Sequence, residues 1–231
     1  MLLVNRINRQ ILKENLKNEP FKRLTISFYR YVAIANPSDF RDSLYHNWHR
    51  LGCFGRIYIA REGINAQMSV PEHHLNAFFE TLAGYPELRD VPIKYAIEDN
   101  GKSFFKLTMK VRPKIVADGL DESSYDMAQV GPHLEPLEFH EALDEADTLV
   151  IDMRNHYESE IGRFAGAYCP DADTFKDAIH IVANEFGQQK GRKILLYCTG
   201  GIRCEKASSF LIRRGFTNVF QLSGGIIEGH L

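Results

Sequence analysis

KILLYCTGGIRCEKASSFLIRRGF, residues 193–216, runs from a short apolar strand through two consecutive glycines into an amphipathic helix. The strand ends at Tyr197, Cys198 follows it, and Thr199-Gly200-Gly201-Ile202 leads into a helix expected from about Arg203 to Arg214. Adjacent glycines reach backbone angles that other residues resist, so several amide N–H groups can turn towards one point. A helix N-terminus adds unsatisfied N–H groups and a partial positive charge, and Arg203 adds a full one. A thiol at that point has a depressed pKa, and the thiolate is the nucleophilic form. A buried cysteine closing a strand beside a glycine turn fits the same residues, so both readings stand at this stage.

Spacing removes two rivals. Cysteine-based phosphatases use H-C-x-x-x-x-x-R. Here Tyr197 stands before the cysteine, and Cys204 occupies the arginine position. The nucleotide-binding patterns G-x-x-x-x-G-K-[ST] and G-x-G-x-x-G are both missing from this stretch.

Working outward, the C-terminal half alternates apolar strands with helices. A helix at Leu137–Leu143 precedes the strand Thr148–Asp152, a helix from Asp173 to about Phe186 precedes Lys193–Tyr197, and the helix after Cys198 precedes Asn218–Leu222. That rhythm predicts a parallel sheet covered on both faces, with ligands at the carboxyl ends of the strands, where Cys198 lies. Upstream, the polar, Gly/Pro-punctuated stretch ADGLDESSYDMAQVGPHLEP reads as a linker.

The N-terminal half has a different order. Leu24–Tyr31 reads as a strand, and Asn36-Pro37 caps a helix carrying Phe40, Leu44, Trp48 and Leu51. Phe54–Ala60 and Ile64–Val70 flank a turn at Arg61-Glu62-Gly63; Leu75–Leu82 is helical; Ile93–Ile97 and Phe104–Ile115 complete the sheet. The order β-α-β-β-α-β is ferredoxin-like. The expected layout is an N-terminal extension (1–23), a ferredoxin-like, acylphosphatase-like α+β domain (24–116), a linker (117–133) and a parallel α/β domain (134–231).

The chain has 231 residues, is 44% hydrophobic and 25% charged, and carries a formal net charge of -2. This is an ordinary globular composition, and any polyanion site must be a local patch. No stretch of about 20 apolar residues predicts a membrane span, and the first 20 residues lack the apolar core of a secretory signal. The expected compartment is the cytoplasm, where the four cysteines stay reduced. No C-x-x-C pair marks a zinc site, and His73, His74 and His156 lack a carboxylate at metal-ligand spacing, so no metal or cofactor is evident.

The C-x-x-x-x-R loop resembles the rhodanese active-site loop. Asp152-Met153-Arg154, Glu158 and Gly162 through Gly166-Ala167 resemble the rhodanese run D-x-R, E, G-x-x-x-G-A, and Phe220–Gly225 resembles its last strand and turn. The resemblance implies a rhodanese-like fold with Cys198 at the persulfide-carrying position. Thiosulfate-using rhodaneses often place arginine after that cysteine, where this chain has Thr199.

Three segments in order, Gly55–Ala66 (GRIYIAREGINA), Lys110–Val116 (KVRPKIV) and Cys198–Lys206 (CTGGIRCEK), are similar to the bacterial tRNA uridine hydroxylase family, which joins an acylphosphatase-like domain to a rhodanese domain. That resemblance implies oxygen-dependent conversion of wobble uridine in tRNA to 5-hydroxyuridine, with Cys198 essential and molecular oxygen as co-substrate. A persulfide-carrying sulfurtransferase is the alternative.

For an RNA substrate, Phe105, Leu107, Met109 and Val111 alternate with Lys106, Thr108 and Lys110, so period two puts the apolar set in the core and the cations outside. Lys106, Lys110, Arg112 and Lys114 are therefore candidate phosphate contacts, with Arg56, Arg61 and Asn65 beside them. A solvated sheet edge would look the same. Arg154 is a further candidate phosphate contact, or a partner for Glu158, and Asp152 reads as structural. Cys204 is expected to pack against the sheet, with a resolving role towards Cys198 as the alternative; Cys53 and Cys169 read as structural.

Overall fold

The computed structural model describes residues 8–96 and 99–227, in two compact units, Met1–Ile115 and Val116–Leu231. Residues 1–7 of the expected N-terminal extension, and Ile97 at the end of the expected Ile93–Ile97 strand, lie outside the described residues.

The first unit opens with α1 (Arg9–Lys17), followed by β1 (Arg23–Tyr31), α2 (Pro37–Arg50), β2 (Phe54–Ala60), β3 (Gly63–Pro71), α3 (Leu75–Ala83), β4 (Lys94–Tyr95) and β5 (Leu107–Val111). The sheet order is β4-β1-β3-β2-β5. The first four of these strands are antiparallel neighbours, the ferredoxin-like arrangement. Strand β5 is an addition, running parallel to β2 on its outer edge.

Strand alternation decides which face carries the helices. Ile26, Phe28, Ile57, Ile59, Ile64, Ala66 and Met68 are buried, with Leu44 and Trp48 of α2 and Phe78 of α3 in the same core. The Trp48 ring meets Phe28 at 6.2 Å and Phe78 at 5.5 Å between centroids. Asn36 starts α2 as its sequence predicts, its side chain accepting from the amides of Ser38 and Asp39. The opposite face is polar and aromatic. Register aligns Ser27, Gln67, Arg56 and Thr108 in one row, and Tyr29, Asn65, Tyr58 and Lys110 in the next.

The second unit contains β6 (His133–Leu134), α4 (Pro136–Leu143), β7 (Leu149–Asp152), α5 (His156–Ile161), α6 (Phe175–Glu185), β8 (Ile194–Tyr197), α7 (Ile202–Arg213) and β9 (Val219–Leu222). Its sheet is all parallel, in the order β6-β9-β8-β7. Ile151, Ile194 and Leu196 pack with residues of α6 and α7, whereas Val150, Leu195 and Tyr197 pack with Phe139 and Ala142 of α4, so both faces are covered as expected.

The segment expected as a linker, 117–133, is packed within this second unit. Leu120 is buried in its core. Fully buried Asp118 holds the equally buried Lys206 ammonium at 3.3 Å, and the Tyr125 ring lies 3.5 Å from the same ammonium. Ser209 Oγ accepts from the Asp126 amide at 2.8 Å and donates to the Asp126 carbonyl at 2.7 Å. Ser208 Oγ accepts from the Gly131 amide at 2.9 Å. The polar, aperiodic composition thus serves a buried polar face of α7, because chain without regular structure needs side-chain partners for its own amides.

Removing one member of a buried ion pair leaves an uncompensated charge. Lys206→Met should therefore cost about 3–5 kcal/mol in urea unfolding, with most of the loss recovered in Lys206→Met/Asp118→Leu. A single variant within about 0.5 kcal/mol of wild type, the range of ordinary surface changes, would show that the pair does not hold this segment.

Candidate active site

Cys198 leaves β8 at its carboxyl end and is fully buried. Its sulfur accepts the Gly201 N–H at 3.2 Å. Gly201 is the residue before α7 and has φ +93°, a left-handed angle that aims this amide at the sulfur and that a side chain would resist. The loop is braced from behind. The Ile226 amide donates to the Cys198 carbonyl at 2.9 Å, and the Ile227 amide to the Thr199 carbonyl at 3.2 Å. Gly225, also left-handed at φ +71°, leaves no space for a side chain: a Cβ there would lie 2.6 Å from the Thr199 carbonyl oxygen.

Burial pushes the Cys198 pKa up, but the opposing contributions are larger. Hydrogen bonding with the Cys204 side chain, the positive charge of Arg203 and the backbone N–H groups of Cys204 and Arg203 favour the anion and together lower the pKa to about 6. Cys204 moves the other way, raised well above the ordinary thiol range by burial and by its bond to Cys198. One sulfur is thus poised as the anion and the other as the proton donor. Cys53, by contrast, is pushed up to about 12 by burial, against the opposing pull of Arg23, as expected of a structural cysteine.

Arg203 is less free than the sequence suggested. Its guanidinium donates to both oxygens of Glu158, at 2.9 and 3.1 Å, and to Thr199 Oγ1 at 2.6 Å, while the Thr199 hydroxyl donates to Glu158. Burial opposes the Arg203 charge, but these bonds more than offset it and raise its pKa. Burial likewise works against the Glu158 charge, yet the bonds from Arg203 and Thr199 hold its pKa at about 2. Glu158 is the third residue of α5, where Asn155 and Glu158 form a reciprocal capping box. Neither α5 nor the role of Glu158 in the loop follows from helical periodicity, since α5 has only 6 residues. The Asn-x-x-Glu pattern is the signal that could have found them.

Arg154 pairs with Asp152 and not with Glu158. Its Nε lies 2.9 and 3.1 Å from the two Asp152 oxygens, Nη2 donates to Asp152 Oδ2 at 2.6 Å and also to the Gly162 carbonyl. The Tyr197 hydroxyl donates to the same carboxylate at 2.8 Å. With its side chain 8% exposed, Arg154 braces the end of β7 and does not offer the open guanidinium that a phosphate contact requires. The structural reading of Asp152 agrees with this geometry.

The remaining candidates lie in the first unit. Arg56, Lys106, Lys110 and Arg112 are exposed, and Lys114 is half-buried. Leu107 and Met109 point into the core as period two requires. The Arg112 guanidinium sits 6.0 Å from the Tyr58 ring. Asn65 donates to the Ile115 carbonyl at 3.3 Å, which commits it to the chain that leaves the sheet.

Two titrations check this electrostatic account. Cys204→Ala removes a donor to the sulfur, so the Cys198 thiolate absorbance should appear at a pH clearly above 6; an unmoved midpoint would refute the thiol–thiolate bond. Glu158 has its pKa depressed from 4.5 to about 2. Its contribution to stability is therefore complete above pH 4.5 and is lost as the pH falls through about 2. Glu158→Gln should flatten the acid limb of the stability curve between those values.

Comparison with known proteins supports this reading of both units. Residues 17–115 match the model of the UPF0176 acylphosphatase like domain, and residues 135–229 match that of the rhodanese-like domain. The chain is 48% identical over 226 residues to a protein of Leptospira interrogans, which covers 98% of this chain and 62% of that protein. It is 48% identical over 228 residues to a Hamiltonella defensa protein, covering 98% of this chain and 64% of that one. A Photorhabdus laumondii protein is 47% identical over 228 residues, with 98% and 65% covered. All three are named tRNA uridine(34) hydroxylase. The chain therefore spans under two thirds of the length of these relatives. With two matched domains in the same order and a thiolate loop between β8 and α7, the chain is similar over nearly its whole length to these proteins named tRNA uridine(34) hydroxylase.

Proposed function

We propose that this chain hydroxylates carbon 5 of the wobble uridine of tRNA, using Cys198 as a nucleophile and molecular oxygen as co-substrate. The observation that carries the reading is the buried Cys198 sulfur at the start of α7, accepting the Gly201 N–H at 3.2 Å in a loop that lowers its pKa and favours the thiolate. Kinship with proteins named for this reaction supports the choice of substrate. Thr199, engaged with Glu158 and Arg203, takes the place of the arginine that thiosulfate-using rhodaneses often carry, which favours this reading over simple sulfur transfer.

The chemistry uses groups already in the loop. The thiolate adds to carbon 6 of an unstacked uracil, and the electron pair moves to carbon 5, which attacks oxygen. One oxygen atom stays on carbon 5, and the other leaves as water, which requires two electrons. Cys204, whose thiol donates to Cys198, supplies them. It attacks the Cys198 sulfur, the carbon–sulfur pair returns to the ring as the enol of 5-hydroxyuridine, and a Cys198–Cys204 disulfide remains for a small thiol to reduce. A wobble base is single-stranded, so it enters a pocket at little unstacking cost.

For the RNA itself, the open face of the first unit offers Arg56, Lys106, Lys110 and Arg112 to phosphates, with Lys114 at its margin, while Tyr29 and Tyr58 share that face with them. Cations interleaved with aromatic rings suit a single strand, whose bases stack while its phosphates pair. Among the described residues no helix is long and apolar enough to cross a membrane. Four free cysteines suit the cytoplasm, where tRNA is found.

The decisive measurement is nucleoside mass spectrometry of tRNA lacking the modification, incubated in air with a thiol reductant. Wild type should add one oxygen to uridine, Cys198→Ser should add none, and removal of oxygen should stop the reaction. Cys204→Ser should accumulate a protein–RNA adduct in place of product. Full hydroxylation by folded Cys198→Ser would end the proposal. Sulfur transfer to cyanide from a persulfide donor, without hydroxylation, would replace it with a sulfurtransferase.

A further inference from the structure

The first unit contains a cavity of about 360 Å³ lined by Arg9, Lys13, Leu16 and Lys17 of α1 and by Lys102, Ser103 and Phe105 of the segment leading into β5. Four of these seven residues are cations and none is an acid, in a chain whose formal net charge is -2. Arg9, Lys13 and Lys17 recur every fourth residue, so they form one stripe along the helix. The acid of α1, Glu14, is one residue on from Lys13 and so turned well away from it around the axis.

The cations are also held in place. The Phe105 ring lies 5.5 Å from the Arg9 guanidinium and 5.9 Å from the Lys13 ammonium. The Lys102 ammonium donates to the Lys17 carbonyl at 3.2 Å, which fixes the segment to the end of the helix. One carboxylate is close, Asp99, which accepts from Ser103 Oγ at 3.3 Å. Four cations against one acid still raise the free energy of the unliganded protein, and an anion relieves it. Pre-ordered side chains also lose less rotamer freedom when that anion arrives.

We infer that this cavity is a phosphate-binding site that grips the RNA backbone, an anchor separate from the loop that carries the chemistry. The inference rests on the tRNA reading above. The form of the site favours a polymer over a single ion: charges at every fourth helical residue are spaced about 6 Å along the axis, a row and not a point. Phe105 of the lining is followed by the exposed Lys106, and β5 carries the exposed Lys110, so further cations lie on the chain that leaves the cavity. A volume of 360 Å³ also exceeds what one phosphate occupies and admits a nucleotide-sized group.

The test is the binding of unmodified tRNA by the full chain across a range of salt concentrations, in wild type and in Arg9→Gln/Lys13→Gln. Loss of two phosphate contacts should reduce the slope of log affinity against log salt by about 1.4 to 1.8 and weaken binding roughly tenfold at moderate salt. Arg9→Lys/Lys13→Arg should bind like wild type, and equal melting temperatures would exclude unfolding as the cause. An unchanged slope and affinity would overturn the inference, and continued hydroxylation by wild type would leave the proposed function standing. Weakened RNA binding by the variant, with a wild type that binds tRNA but never hydroxylates it, would keep this site and remove the proposed reaction. If wild type does not bind tRNA at all, the inference falls. If uridine monophosphate or inorganic phosphate fills the cavity at low millimolar concentration and RNA does not compete, the occupant is a small phosphate ligand and the RNA assignment is wrong.

Discussion

A buried sulfur anion is the constraint around which the second unit is arranged. Desolvation alone drives a fully buried thiol towards its neutral form, so a thiolate at Cys198 persists only if donors and positive charge are built in beside it. Each neighbour answers that need. Gly201 turns its amide inward at an angle glycine tolerates, α7 begins there, and Cys204 presents its proton. Gly225, Ile226 and Ile227 fasten the loop from behind, so the amides cannot relax away from the sulfur. Preorganisation of this kind is the usual source of catalytic electrostatics, because the dipoles are oriented before charge develops.

Glu158 adds a second layer of control. By accepting from Nη1 and Nη2 of Arg203 it fixes where that charge sits, and through Thr199 it ties the first loop residue to the same carboxylate. The loop therefore does not present a free arginine to any passing anion.

Much of this was legible in sequence because local rules and tertiary demands agree. Strand β8, the glycine pair and α7 are visible from periodicity and composition, and the Asn36-Pro37 cap places α2 within a residue or so. The ferredoxin-like order also follows from element succession. What escaped was information that lies in pairings. The segment 117–133 looks like a linker because its apolar content is low, and only the buried face of Lys206, Ser208 and Ser209 shows what it is packed against. Arg154 and Glu158 stand four residues apart, the spacing of a helical ion pair, but Arg154 precedes α5, so the two never meet along a helix. Strand β6 is 2 residues long, too short for any period to register. The cation row on β5 was readable by alternation, whereas the cavity beside it needed the position of α1.

The edges of the two sheets have a consequence for how copies of the chain behave at high concentration. An unpaired edge strand is a template on which another chain can add, the first step towards aggregation. The first sheet ends on one side in β4, 2 residues long and containing Lys94, and on the other in β5, which carries Lys110 and is followed by Arg112-Pro113. The second ends in β6, also of 2 residues, and in β7, whose outer side is partly taken by a bridge from Ile151 to Tyr168. Short strands, the exposed Lys110 and Arg112 and a proline give an incoming β-segment little to extend, so these residues act as gatekeepers against self-association.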